Sequence, residues 1–538
     1  MNEQYFSGGL FSRNAVVSVY HPALLANLPL TQTQTQTQTQ TQTQTQTQTQ
    51  TQTQAKGKGF MLSTFLKNLT AKQIEKELIG DALQQAIEIE IATIPVYLST
   101  YYSINRTPDQ DAIESKITCV LNTQRDAGKN TLSDQEIEGI AKELSAKIMV
   151  FANKAGASII SVVIEEMLHM SLSSNVKQAL VGNPELVYKG PQIWPAYLAG
   201  HEPPFPINRA KLSQEQLYTF MQIESPNKLK GKANRASAIP YTTIGEFYAM
   251  IEECITLFFN QPSDYDTSRP QLVPKMGYYA QNDIDTLYYD KEHNPKFENA
   301  EDSGDLVHVV DMDSALKALE EIVEQGEGHD NARGFNEDGT VNCAPFEDNS
   351  YDDVARKELA HFDKFNQLWC EMGAIDEAFK AALGDDIDPK SFYIFDFYDN
   401  AKTADYPEII QKVSTLTNAV YTYLYVMTQA CYQAEKNTQY EIFMFGIHKS
   451  MMWILGSLCG MLPTMKYIAE DGFEHSAAPT FEDYHFDTAS SPKDQIIQLF
   501  NEAAAAYPGV AYLKDRIHDL PNVALEPYLE TPNQPILA

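Results

Sequence analysis

Basic residues are scarce in this chain: 40 Lys and Arg stand against 72 Asp and Glu, for a net charge of −32 over 538 residues. Nucleic acid and anionic membrane surfaces both need clustered cations, so neither is expected as a partner. Cysteine is sparse too, six in all at 119, 254, 343, 370, 431 and 459, with no C-x-x-C spacing. That excludes a zinc knuckle and predicts free or buried thiols in a reducing compartment. The first thirty residues lack a basic start leading into an apolar run, so no leader peptide is expected. One stretch, 442–463, has the length of a bilayer span, but His448 and Lys449 interrupt it and a buried helix is the better reading. A cytoplasmic protein off the membrane is expected. Strand-like alternation is also scarce, which predicts a mainly α fold.

Residues 31–54 are a Thr-Gln repeat with no apolar surface to offset the entropy of ordering, so 1–60 is expected to be a disordered tail. From there, helical periodicity predicts helices at 72–104, with Pro95 bending or ending the first, and at about 136–181. A polar stretch, 105–135, separates these two, and a long Pro-rich crossing follows at 184–240 as a candidate lid or structural wrap. Further helices are expected at 243–259, 312–328, 352–369, 406–435 and 441–468. The division that results is a tail, a bundle over 61–400, and a C-terminal helical extension over 401–538 packed on it.

Two short stretches then attract attention. "EEMLHM" (165–170) places Glu166 three residues before His169, and "KELAHF" (357–362) places Glu358 three before His361. With eleven His in the chain, roughly one such pair is expected by chance, so the count alone means little. Their faces mean more. Glu166 and His169 lie on the apolar stripe of Ile159, Val162, Val163, Met170 and Ser173, and Glu358 and His361 on that of Val354, Phe362, Phe365 and Leu368. A carboxylate on a core-facing stripe is costly unless something compensates it, and a metal ion does.

Two other helices offer matching carboxylates. Glu90 continues the line Leu83, Ala86, Ile87, Ile94, Tyr97, whereas Glu88 falls with Asp81, Gln84 and Gln85 on the expected wet side. Glu327 continues Leu316, Leu319 and Val323; Glu324, on the flank beside Glu320, is a candidate additional ligand, and His329 reads as a loop residue. The order Glu, Glu-x-x-His, Glu, Glu-x-x-His is that of di-iron and di-manganese carboxylate bundles. Two His and four carboxylates carry a charge of about −4, matching two divalent ions, and oxygen ligands suit hard iron or manganese. Tyr97 and Tyr101, beyond Glu90, read as core packing, with pocket lining or electron transfer as the alternative.

The blocks "ALQQAIEIEIATIPVYLSTYYSI" (82–104), "VVIEEMLHMSLSSNVKQALVGNPEL" (162–186), "IVEQGEG" (322–328) and "ELAHFDKF" (358–365) resemble the ferritin-like domain of the iminophenyl-pyruvate dimer synthase family. "FMQIESP" (220–226), "TIGEFY" (243–248) and "APTFED" (478–483) are similar to it as well. The resemblance implies a ferritin-like four-helix bundle with a long crossover insertion and a C-terminal helical extension. It also implies two iron (or manganese) ions, O2 as co-substrate, and oxidation of a small, amino-acid-derived molecule in natural-product biosynthesis. No C-x-x-C-H haem attachment motif is present. The expected ligands, which are also the expected catalytic groups, are Glu90, Glu166, His169, Glu327, Glu358 and His361. The alternatives are metal storage and a metal-free interaction protein. A homo-oligomer is left open.

Overall fold

The structure is a computed structural model and describes residues 71–226, 228–229, 238–273, 306–326, 334–344, 359–525 and 527. The expected tail at 1–60 lies outside them. Two long helices form the spine. Helix α1 (Ala71–Tyr102) is buried on every side from Ala82 onward, as a helix apolar all round should be. It neither stops nor breaks at Pro95. The amide hydrogen missing there leaves one helical bond unmade, and Ser99 Oγ donates to the Pro95 carbonyl at 2.7 Å.

The expected polar connection contains a helix, α2 (Gln110–Asp126). Its apolar stripe is only Ile113, Ile117 and Leu121, all buried, and an Asp109 cap fixes its start. That stripe is too thin to stand out among polar neighbours. Helix α3 (Asp134–Leu180) begins at a Ser133–Glu136 capping box and is wholly buried from Phe151. At 47 residues it is roughly 70 Å long. Helix α1 packs along it.

The Pro-rich crossing holds a two-stranded ribbon, β1 (Ala196–Tyr197) with β2 (Pro206–Ile207), antiparallel. It also holds a helix the periodicity did not reveal, α4 (Gln214–Ile223), capped by Ser213. Pro226 disfavours helical backbone at Ser225, so α4 ends there with Glu224 as its last, capping residue. Helices α5 (Ile244–Phe258) and α6 (Met312–Gly326) follow. Helix α7 starts at His361 and runs to Leu383.

The C-terminal part docks on α3 through hydrogen bonds as well as apolar contact. Gln429 of α8 (Glu408–Cys431) accepts from the backbone N–H of Leu186 and Val187, at 2.7 and 3.0 Å. Tyr432 donates from its hydroxyl to Ser171 O at 3.2 Å, and its own carbonyl accepts from Gln178 Nε2 at 2.7 Å. The expected apolar helix near 441–468 is present but wider wound. Ile442–His448 and Met451–Leu455 are π-helical, between short α segments Lys436–Glu441 and Gly456–Met461. Two helical stretches, Asp134–Leu180 and Thr438–Thr464, are long and apolar enough to cross a bilayer, and both lie mostly buried within the protein. The free-thiol expectation holds for four cysteines; Cys343 and Cys370 are joined in a disulfide that ties the 334–344 loop to α7.

Candidate metal centre

Four separate segments bring carboxylates and imidazoles to one buried point. Glu90 comes from α1, Glu166 and His169 from α3, Glu224 from the end of α4, and His361 from the start of α7; each is at least 95% buried. They form two groups, Glu90–Glu166–His169 and Glu166–Glu224–His361, with ligand atoms within 4.8 Å of one another in each. Glu166 belongs to both.

The contacts are spaced like neighbouring ligands around an ion. Nδ1 of His169 stands 3.4 Å from Glu166 Oε1 and 3.8 Å from Glu90 Oε2. Nδ1 of His361 stands 3.2 Å from Glu166 Oε1 and 3.5 Å from Glu224 Oε2. Two atoms each about 2.1 Å from one ion, at tetrahedral or octahedral angles, are roughly 3.0–3.4 Å apart. Nδ1 of His361 is wholly buried and has no well-aligned hydrogen-bond partner among the described residues. A cation between it and the carboxylates would satisfy that nitrogen. The residues present fit a pair of metal ions.

The far side of each imidazole is held differently. His361 Nε2 pairs with Glu165 Oε2 at 2.9 Å, and Lys364 Nζ donates to both Glu165 oxygens at 2.9 and 2.8 Å. His169 Nε2 meets the neutral Gln325 Oε1 at 2.9 Å. In both rings the outer contact fixes the imidazole with Nδ1 turned inward. The carboxylates are steadied as well: Tyr248 donates to Glu90, Tyr97 to Glu224, and Thr93 to Glu166.

Proton affinities reflect so much charge in one place. Burial, then the neighbouring Glu166, pushes Glu90 well above the carboxylate range, and burial with Glu166 also raises Glu224. Burial would raise Glu166 as well, but the imidazoles of His169 and His361 facing it outweigh that and leave the carboxyl below its usual range. Burial would depress His361, yet Glu165, Glu166 and Glu224 hold it well above an ordinary histidine. Tyr97 and Tyr248, raised by burial and by the adjacent carboxylates, stay protonated donors. Protons thus do in part what divalent cations would do.

Of the ligands expected from sequence, Glu90, Glu166, His169 and His361 are brought together. Glu327 and Glu358 lie outside the described residues. Leu359 and Ala360 precede α7 rather than belonging to it, and His361 opens the helix. Glu324 belongs to neither ligand group among the described residues; its neighbour Gln325 is the α6 side chain that reaches His169. Glu224 was missed. Its only sequence signals were the "FMQIESP" block and a carboxylate following a short apolar run. Glu88, expected on a wet face, is 4% exposed, because the crossing segment covers that side of α1. Gln84 donates to Glu185 O, and Gln85 to Ala199 O and Ile239 O.

The sequence profile of the ferritin-like family matches residues 83–369, more than half of the chain, and the protein belongs to that family. All the clustered Glu and His residues fall inside the matched region. A ferritin-like protein from Caulobacter vibrioides, known from its crystal structure, shares 15% identity over 70% of this chain and 95% of its own. The TM-score between the two is 0.35. No curated protein matches the chain.

Proposed function

We propose that this protein is a non-haem di-metal oxidase or oxygenase that uses O2 to oxidise a small organic molecule. The observation that carries the reading is Glu166, a carboxylate common to two adjacent three-ligand groups, each completed by its own histidine and its own glutamate. Iron or manganese held there would supply the redox chemistry that activates O2.

The chain's own groups define the rest. Glu166 presents Oε1 to the Nδ1 atoms of both histidines and would serve both ions, with Thr93 restraining Oε2. Glu90 and Glu224 flank it, and the phenols of Tyr248 and Tyr97 limit how far each carboxylate can swing. Phe220 and Phe365 pack on Tyr97 with ring centroids 4.6 and 5.2 Å away, keeping water from the Glu224 side. The resemblance to iminophenyl-pyruvate dimer synthases supports an amino-acid-derived substrate in biosynthesis, and rests on sequence blocks alone.

O2 uptake by the ferrous protein, with and without aromatic amino acids and their keto acids, tests the reading. Uptake coupled to substrate, at two ions per chain, is the expected result. Progressive iron loading far beyond two per chain would favour storage and overturn it.

A further inference from the structure

A second site lies away from the metal ligands, and the inference does not rest on the metal reading. A pocket of about 290 Å³ is lined by Pro191, Gln192, Trp194, Arg209, Lys402, Glu482 and Asp483 among others. Arg209 is 4% exposed, yet its Nε and Nη1 have no hydrogen-bond partner among the described residues. Its Nη2 donates to Ala401 O at 3.1 Å. The guanidinium carbon stands 5.0 Å from the Trp194 ring centroid. Stacking of this kind satisfies the face of a guanidinium and leaves its in-plane N–H donors to find acceptors at the edge. Buried charged donors without acceptors are costly, and native folds seldom keep them without a ligand.

The backbone around Arg209 is firmly held. Its N–H donates to Asn400 Oδ1 at 3.0 Å, and its carbonyl accepts from Asn400 N at 2.7 Å. The nearby carboxylates are engaged elsewhere. Glu482 Oε2 accepts from Thr403 N at 2.9 Å, and Asp483 Oδ2 from Gln192 Nε2 at 2.6 Å. Burial pushes Arg209 down to about 10, opposed by Tyr421, Glu482 and Tyr406, so it stays cationic at neutral pH.

We propose that this pocket binds a small monocarboxylate with a flat apolar body, its carboxylate taken by Arg209 and its body lying against Trp194. The volume suits a molecule of one ring. Once Arg209 is matched by the ligand carboxylate, Glu482 and Asp483 outnumber the one remaining cation of the lining, Lys402, which selects against a second negative charge, as in phosphate or a dicarboxylate.

Equilibrium dialysis of the full-length protein tests this, with benzoate as the probe and benzamide and inorganic phosphate as controls. Saturable benzoate binding at one site per chain is expected, with both controls weaker by roughly ten-fold or more. Arg209→Gln should lose benzoate by a similar factor and keep its metal-to-protein ratio. Glu482→Gln, which preserves side-chain shape, should tighten benzoate binding, and Trp194→Ala should weaken it. These two carry the test if Arg209→Gln does not fold. Absence of saturable binding up to about 10 mM, equal affinity for benzamide, or indifference to these substitutions would overturn the proposal, leaving water as the partner of Arg209.

Discussion

The imidazoles of His169 and His361 lie stacked, ring centroids 5.4 Å apart at 24°, with Glu166 reaching the Nδ1 atom of both. One helix supplies Glu166 and His169 and another supplies His361, so this relationship exists only in the folded chain. It gives the centre its two-fold character.

Glu224 completes one half of that pair. We expect Glu224→Ala to lower bound metal from about two ions per chain to about one, with helix content by circular dichroism unchanged. Glu324→Ala should keep both ions. Elemental analysis of the two variants side by side distinguishes them, and loss of metal from the Glu324 variant alone would reverse the assignment.

Glu165 and Lys364 form a wholly buried ion pair behind His361. Lys364→Met leaves that carboxylate with the His361 imidazole as its one remaining cationic partner among the described residues, and should destabilise the fold by about 3 kcal/mol. In the double variant Glu165→Gln/Lys364→Met the loss should be smaller than the sum of the single losses, because neither charge is then stranded. Glu165→Gln alone should weaken metal binding roughly 10- to 100-fold. Urea denaturation and competitive chelation measure the two effects, and strict additivity would sever the link.

Glu88 is raised to about 7, chiefly by burial, with Lys189, Gln84 and Lys177 opposing the rise. A carboxyl whose folded value is raised contributes its full stability below the unfolded value, near 4.5, and that contribution is lost as pH climbs through 7. Glu88→Gln should therefore gain on the parent by about 1–3 kcal/mol at pH 8 and by little at pH 4. Thermal unfolding at both values checks it; an equal shift at each would contradict the charge origin.

The helical spine was legible in the sequence because α1 and α3 are long and their periodicity is carried by strong apolar residues. Glu90, Glu166, His169 and His361 were legible for the same reason, each sitting on or beside an apolar stripe. Glu224 was not, since α4 is short and owes its position to a serine cap and to Pro226 rather than to a repeating pattern. The burial of Glu88 was equally hidden. Its face of α1 reads as polar, and Gln84 and Gln85 are polar because they hold the backbone of a segment more than a hundred residues away. The Cys343–Cys370 link could not be read from spacing, because 27 residues separate the two and no motif marks them.

The most direct test of the paired centre is the metal-to-protein ratio of the purified chain, set beside that of Glu166→Ala. The shared carboxylate predicts close to two iron or manganese ions per chain in the parent and nearly none in the variant, because one side chain serves both positions. Two ions retained after Glu166 is removed, or a parent that binds none at saturating ferrous iron, would contradict it.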